Sequence, residues 1–298
     1  MRYSAYQAHE GFVRPARAYP QVWRLLVGLV VAGIAFLTMR QLYFSSIFTL
    51  AGTRGEALYQ QLIAGSTPLA MYLMLFSFGF MVLATGLAAR MLHRRPLRSV
   101  LGPFDLLVEQ FSRVFAVMVL LNLVVFVLPP WDMGGDLRAN LSLGRWMLLL
   151  PFSILAVLVQ VSAEEVFFRG YLQQQLAARF KSPLVWLVLP SAIFALGHFQ
   201  PEIAGQNALI VALWAGIFGM LMADLTARAG SLGPAIAVHL ANNVLAIVFI
   251  AVPDQLSGLS LYLAPFAMAD TQAVRDWLPV DFALMFVAWL AARLAIRR

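Results

Sequence analysis

The 298-residue chain is 61% hydrophobic and only 12% charged, with no cysteine and a formal net charge of +7. A soluble chain is not this apolar, so the composition reads as a polytopic membrane protein. Lack of cysteine excludes disulfides, thiolate chemistry and Cys-based zinc sites, and the positive charge, nearly all Arg in loops and tails, reads as an orientation signal rather than a nucleic-acid footprint.

Residues 1–21 are polar and basic and are expected to form a cytoplasmic N-terminal segment. The apolar run that follows lacks a small-residue cleavage site, which makes it an uncleaved first span. Spans of about 18 to 22 apolar residues, the length that crosses a core of roughly 30 Å, fall near 22–39, 69–90, 111–129, 146 onward, 184–200, 207–226, 233–252 and 279–296. The predicted fold is an all-α membrane helix bundle of about eight transmembrane helices, a single transmembrane domain over 1–298. The fourth stretch runs on to Phe180, longer than one straight span, and is expected to tilt or to emerge as an amphipathic extension. In the loop at 253–277, Leu259 to Met268 is too short to span and is expected to be interfacial or re-entrant. Pro190 is expected to kink the fifth helix. There is no internal repeat or low-complexity tract.

The basic residues test this count independently. With eight helices, one side holds the N-terminus, the loops after spans two, four and six, and the C-terminus, which carry Arg2, Arg14, Arg17, Arg24, Arg90, Arg94, Arg95, Arg98, Arg113, Arg179, Lys181, Arg228, Arg293, Arg297 and Arg298. The other side holds Arg40, Arg54, Arg138, Arg145 and Arg275 and most of the acids, including Asp132, Asp136, Asp254, Asp270, Asp276 and Asp281. Both termini are therefore predicted to be cytoplasmic.

Two carboxylates and a guanidinium interrupt the apolar run at Ser162-Ala163-Glu164-Glu165-Val166-Phe167-Phe168-Arg169-Gly170. Charge at membrane depth is costly and marks a functional site by default. Glu165 and Arg169 stand four apart, acid first, the favourable order for a helical pair, whereas Glu164 points about 100° away, toward Phe168. The pair reads as structural, and Glu164 is left for chemistry. Of four histidines, His9 and His93 lie in basic cytoplasmic segments, where a solvated surface role is expected. His198 closes Phe194-Ala195-Leu196-Gly197-His198, and His239 opens His239-Leu240-Ala241-Asn242-Asn243 with Asn243 one turn further on the same face. Asp224 and Arg228, also four apart, read as an ordinary interfacial pair, and Gly216 and Gly219 as close helix packing.

Each of His198, His239 and Asn243 alone fits a structural hydrogen bond between helices. Together with Glu164 they are nearly all the proton carriers and strong hydrogen-bonding side chains at membrane depth, and such groups face a shared interior cavity. A carboxylate beside a histidine takes a proton from water, while Asn and His donate to a developing oxyanion, a set suited to water attack on a peptide carbonyl. The alternative is a metal site, with Glu164, His198 and His239 as three ligands of an open zinc centre. The sequence has no His-Glu-x-x-His, and Asn is a weak zinc ligand.

In these residues the sequence resembles the CPBP family of intramembrane proteases, also called ABI or CAAX prenyl protease 2 (Rce1-type). That pattern is Glu-Glu-x-x-x-Arg, then Phe-x-x-x-His, then His-x-x-x-Asn, here Glu164 to Arg169, Phe194 to His198 and His239 to Asn243, in order and on separate helices. The resemblance covers about 145–252. It implies a bundle of about eight helices with a cavity open to the cytoplasm, Glu164 activating water, and His198, His239 and Asn243 binding or polarising the substrate carbonyl. Both a metalloprotease and a metal-free glutamate mechanism are attached to the family. It also implies a membrane-bound or lipidated peptide substrate in contact with the bilayer. Arg usage and short loops suggest a bacterial cell membrane. Two other classes compete: a proton-coupled transporter, which would show repeat symmetry, and a non-catalytic scaffold or immunity factor, which needs Glu165 and Arg169 but not the other four.

Overall fold

A computed structural model describes residues 5–128 and 135–297. Arg2, Asp132 and Arg298, used above to assign sidedness, lie outside the described residues. The elements are α1 (Gln7–Val13), α2 (Val22–Ala51), α3 (Gly55–Ala64), α4 (Pro68–Ser77), α5 (Gly79–His93), α6 (Phe104–Val127), α7 (Leu143–Glu165), α8 (Gln174–Arg179), α9 (Pro183–Gly197), α10 (Pro201–Ala204), α11 (Ala208–Ala229), α12 (Gly233–Val244) and α13 (Thr271–Ala295). Among the described residues, six helical stretches are long and apolar enough to cross a membrane: Val22–Ala64, Pro68–His93, Phe104–Val127, Leu143–Arg179, Pro201–Ala229 and Thr271–Ala295. The other two expected spans are shorter helices, Pro183–Gly197 and Gly233–Phe249.

Local sequence explains where the helices begin. Thr67 accepts from the Ala70 N–H and Asp270 from the Ala273 N–H, while Pro68 and Pro183 occupy first-turn positions that need no donor. On α2 the exposed Leu26, Val30, Ile34 and Leu37 recur at helical spacing. A face like that is a liability in water and the solvated face in lipid. Inward, one core cluster joins Leu25, Met71, Val157, Val161 and Tyr171, and another joins Val114, Phe194, Phe218, Met222 and Met285.

The N-terminal segment corrects the expectation that His9 and His93 are solvated surface residues. α1 packs on α8 and α11, with Phe12 and Val13 buried. Gly230 ends α11 with φ +73°, and a Cβ there would lie 2.8 Å from the Ala8 carbonyl, so a side chain would push α1 away. His9 is 5% exposed and packs on Trp186, ring centroids 4.5 Å apart. His93 is 2% exposed; Nδ1 donates to the Tyr19 carbonyl (3.1 Å) and Nε2 accepts from the Tyr171 hydroxyl (2.9 Å). The expected Asp224–Arg228 pair forms, and Asp224 does more: it accepts from Arg228 Nε (2.7 Å), the Tyr6 hydroxyl (2.8 Å) and Trp289 Nε1 (3.0 Å), tying the start of α1 and α13 to α11. Charge and hydropathy along the chain cannot register a polar segment that folds back over the bundle.

Two further expectations change. The long fourth helix runs unbroken from α7 through a π-helical segment at Val166–Gln173 into α8. Its end is not an amphipathic surface extension, because Gln173, Gln174 and Gln175 are all buried. Gln173 donates to the Ala223 carbonyl (3.0 Å) and Gln174 to the Phe12 carbonyl (2.6 Å), fastening this end of the helix to α11 and α1. The Leu259 to Met268 stretch, expected to be interfacial or re-entrant, carries a short strand. Within it Tyr262–Leu263 (β3) pairs antiparallel with Arg138–Ala139 (β1) and parallel with Ile250–Ala251 (β2), giving the order β1-β3-β2. Asn140 fastens this patch by donating to the carbonyls of Ser257 (2.8 Å) and Ser260 (3.0 Å).

Candidate active site

α7 delivers both carboxylates at its last two residues, and α12 delivers His239 and Asn243. Each helix passes into a π-helical segment just beyond, at Val166–Gln173 and Leu245–Phe249. Such wide turns recur at functional sites, since they turn side chains out of the ordinary helical register.

Glu165 is fully buried and its Oε1 accepts twice, from Arg169 Nη1 at 3.0 Å and from His239 Nδ1 at 2.8 Å. Arg169, equally buried, spends Nη2 on the Gly219 carbonyl (3.1 Å), and its guanidinium carbon lies 5.0 Å from the Phe194 ring centre. The expected Glu165–Arg169 contact is therefore closed, but Glu165 also orients the histidine. With Nδ1–H committed to Glu165, His239 presents Nε2 to Glu164, 3.6 Å from Oε2. The Phe218 ring packs on the imidazole at 5.0 Å.

Glu164 is held from its own helix. Gln160, one turn earlier, donates from Nε2 to Glu164 Oε1 (2.7 Å) and accepts at Oε1 from Asn243 Nδ2 (3.0 Å). A single amide thus fixes two candidate residues on different helices. The opposite oxygen, Glu164 Oε2, is buried without a hydrogen-bond partner. Unmet acceptors of this kind are rare in folded proteins and call for an explanation. Sequence reasoning overlooked Gln160, although a polar side chain at membrane depth one turn from Glu164 was a readable signal.

His198 stands apart. It closes α9, donates from Nδ1 to the Phe194 carbonyl (2.8 Å), and shows no hydrogen bond or ion pair to Glu164, His239 or Asn243. The Phe194 ring links the two histidines, at 4.4 Å from His198 and 6.3 Å from His239. The trio weighed as zinc ligands is accordingly not assembled, and among the described residues no three His, Asp or Glu side chains are grouped to hold a metal ion.

Membrane-length helices around a buried Glu–Glu–Arg–His cluster define a polytopic membrane protein with an interior polar site. Residues 146–245 match the family described as type II CAAX prenyl endopeptidase Rce1-like. A relative in Bacillus subtilis (strain 168), the uncharacterized protein YyaK, is 31% identical over 265 residues, which span 83% of this chain and 84% of the relative. The chain belongs to this Rce1-like family, a family of proteases, and is an integral membrane protein. No solved structure matches it.

Proposed function

We propose that the protein is an intramembrane endopeptidase that hydrolyses peptide bonds of membrane-associated substrates with water activated by Glu164. One observation carries the reading: Glu164 Oε2 is buried, unpartnered and 3.6 Å from His239 Nε2, while Oε1 is pinned by Gln160. A carboxylate fixed at one oxygen and open at the other is poised to accept a proton. In this reading Oε2 takes one proton from a water, and the water oxygen adds to the substrate carbonyl carbon. Negative charge builds on the carbonyl oxygen, where the Asn243 amide donates its second N–H and His239, with Nδ1–H held by Glu165, donates from Nε2 in its doubly protonated form. Glu164 then gives its proton to the departing amine as the C–N bond breaks, leaving an acid and an amine. His198 acts at the edge of the site, binding the substrate carbonyl or backbone once a peptide lies against Phe194.

In this reading the mechanism uses no metal, since His198, the third ligand that a zinc site would need, lies outside the hydrogen-bonded group of Glu164 and His239. A bilayer-embedded bundle suits a membrane-bound or lipidated peptide, and the Rce1-like description suggests a prenylated C-terminus as the first candidate. The arginine distribution supports cytoplasmic termini in a bacterial cell membrane. The test uses purified protein and mass-labelled peptides, with and without a C-terminal prenyl-cysteine, each with and without chelator. Cleavage that survives chelation is expected. Cleavage abolished by chelator and restored by zinc would overturn the metal-free mechanism, and no cleavage of any membrane-bound peptide would overturn the protease reading.

A further inference from the structure

Unpaired positive charge collects where the start of α2 meets the end of α5. Arg24, in the first turn of α2, donates from Nη1 to the Leu92 carbonyl (2.6 Å), and its guanidinium carbon lies 4.9 Å from the Tyr19 ring and 4.7 Å from the Trp23 ring. Arg94 lies over the same Tyr19 ring at 5.6 Å. Its backbone sits at φ +52°, a conformation that glycine takes more cheaply, so an arginine is kept there against backbone preference. Arg95 is only 5% exposed; Nη1 donates to Gln174, and Nε and Nη2 have no hydrogen-bond partner. Arg24 Nε is also buried and unmet. Among the described residues no carboxylate forms an ion pair with any of the three. Burial pulls the pKa of the Arg95 guanidinium down to about 10. A buried guanidinium with idle donors is costly unless an anion meets it.

We propose that Arg24, Arg94 and Arg95 form a binding site for one phosphate group, carried by an anionic lipid headgroup. Guanidinium forks match tetrahedral oxyanions, supplying the two or more donors that each oxygen accepts. The location identifies the carrier. α2 and α5 belong to the membrane-length stretches Val22–Ala64 and Pro68–His93, and the arginines stand at their ends with half-exposed Trp23 alongside, the arrangement of aromatic and basic groups that meets headgroups. The site is independent of the chemistry proposed for Glu164.

The test measures the melting temperature of the full-length protein in neutral detergent micelles. One arm titrates dioleoylphosphatidylglycerol, a second dioleoylphosphatidylcholine, and a third sodium phosphate against sodium chloride at equal ionic strength. Phosphatidylglycerol should raise the melting temperature saturably, with half-saturation shifted roughly fivefold for each arginine removed in Arg24→Gln, Arg94→Gly and Arg95→Gln. Should Arg95→Gln fail to fold, Arg94→Gly, which relaxes its own backbone, and Arg24→Gln decide the matter. A saturable rise with sodium phosphate that the variants lose supports the phosphate site with a free anion as carrier. No rise in any arm, or equal rises in wild type and variants, would overturn the proposal.

Discussion

At Glu165 one carboxylate oxygen serves both Arg169 and His239, so this residue works in two ways at once. Removing Arg169 strips a buried carboxylate of its countercharge, at a cost of about 3 to 5 kcal/mol. Arg169→Ala should therefore lower folded yield and melting temperature in detergent, and wild-type values for both would contradict the pairing. Gln160 makes a different prediction. In Gln160→Leu the Glu164 oxygen and the Asn243 amide lose their shared partner while the volume of the side chain is nearly kept. Turnover should fall by about tenfold or more with KM little changed, because a misplaced base costs rate rather than binding. An unchanged kcat would show that Gln160 does not position the site. That Glu164, Glu165, Arg169, His239 and Asn243 gather was legible, since strong polar side chains at membrane depth turn to a shared interior. The distance of His198 from that group was not, because its position depends on how α9 ends and on the Phe194 ring beside it.

Between elements, small residues decide which polar bridges can close. Gly28 on α2 lets the Tyr171 hydroxyl reach His93: a Cβ at Gly28 would lie 2.0 Å from that oxygen. Gly28→Ala should destabilise by roughly 1 to 3 kcal/mol through overpacking, read as a lower melting temperature. Adding Tyr171→Phe removes the clashing oxygen and should recover part of the loss, whereas equal melting of Gly28→Ala and wild type would refute the contact. The helices were largely legible, as apolar runs of spanning length and proline or hydroxyl starts fix where they begin. The β1-β3-β2 patch was not, since its strands are two residues each and lie far apart in sequence. Pairing that long-range leaves no periodic trace.

For the molecule as a whole, the folded-back α1 couples stability to pH. Burial, aided by repulsion from Arg17, lowers the His9 pKa from 6.5 to about 4. Between those values the unfolded chain binds a proton that the folded one does not, so stability is lost as pH falls through this window and is unaffected above it. The melting temperature should drop between about pH 6.5 and 4 and less so in His9→Phe; parallel curves for the two would contradict the burial of a neutral imidazole. Hydropathy read correctly for the membrane bundle and wrongly for this segment, because fourteen acids and twenty-one bases along a chain do not reveal which of them dock on one another. The central claim rests on Glu164 as the base that activates water. Glu164→Gln keeps the shape and removes the proton acceptor, so on a membrane-bound peptide that the wild-type protein cleaves, the variant should fold and melt normally and lose on the order of a hundredfold or more in turnover. Wild-type turnover by Glu164→Gln on that peptide would contradict the account.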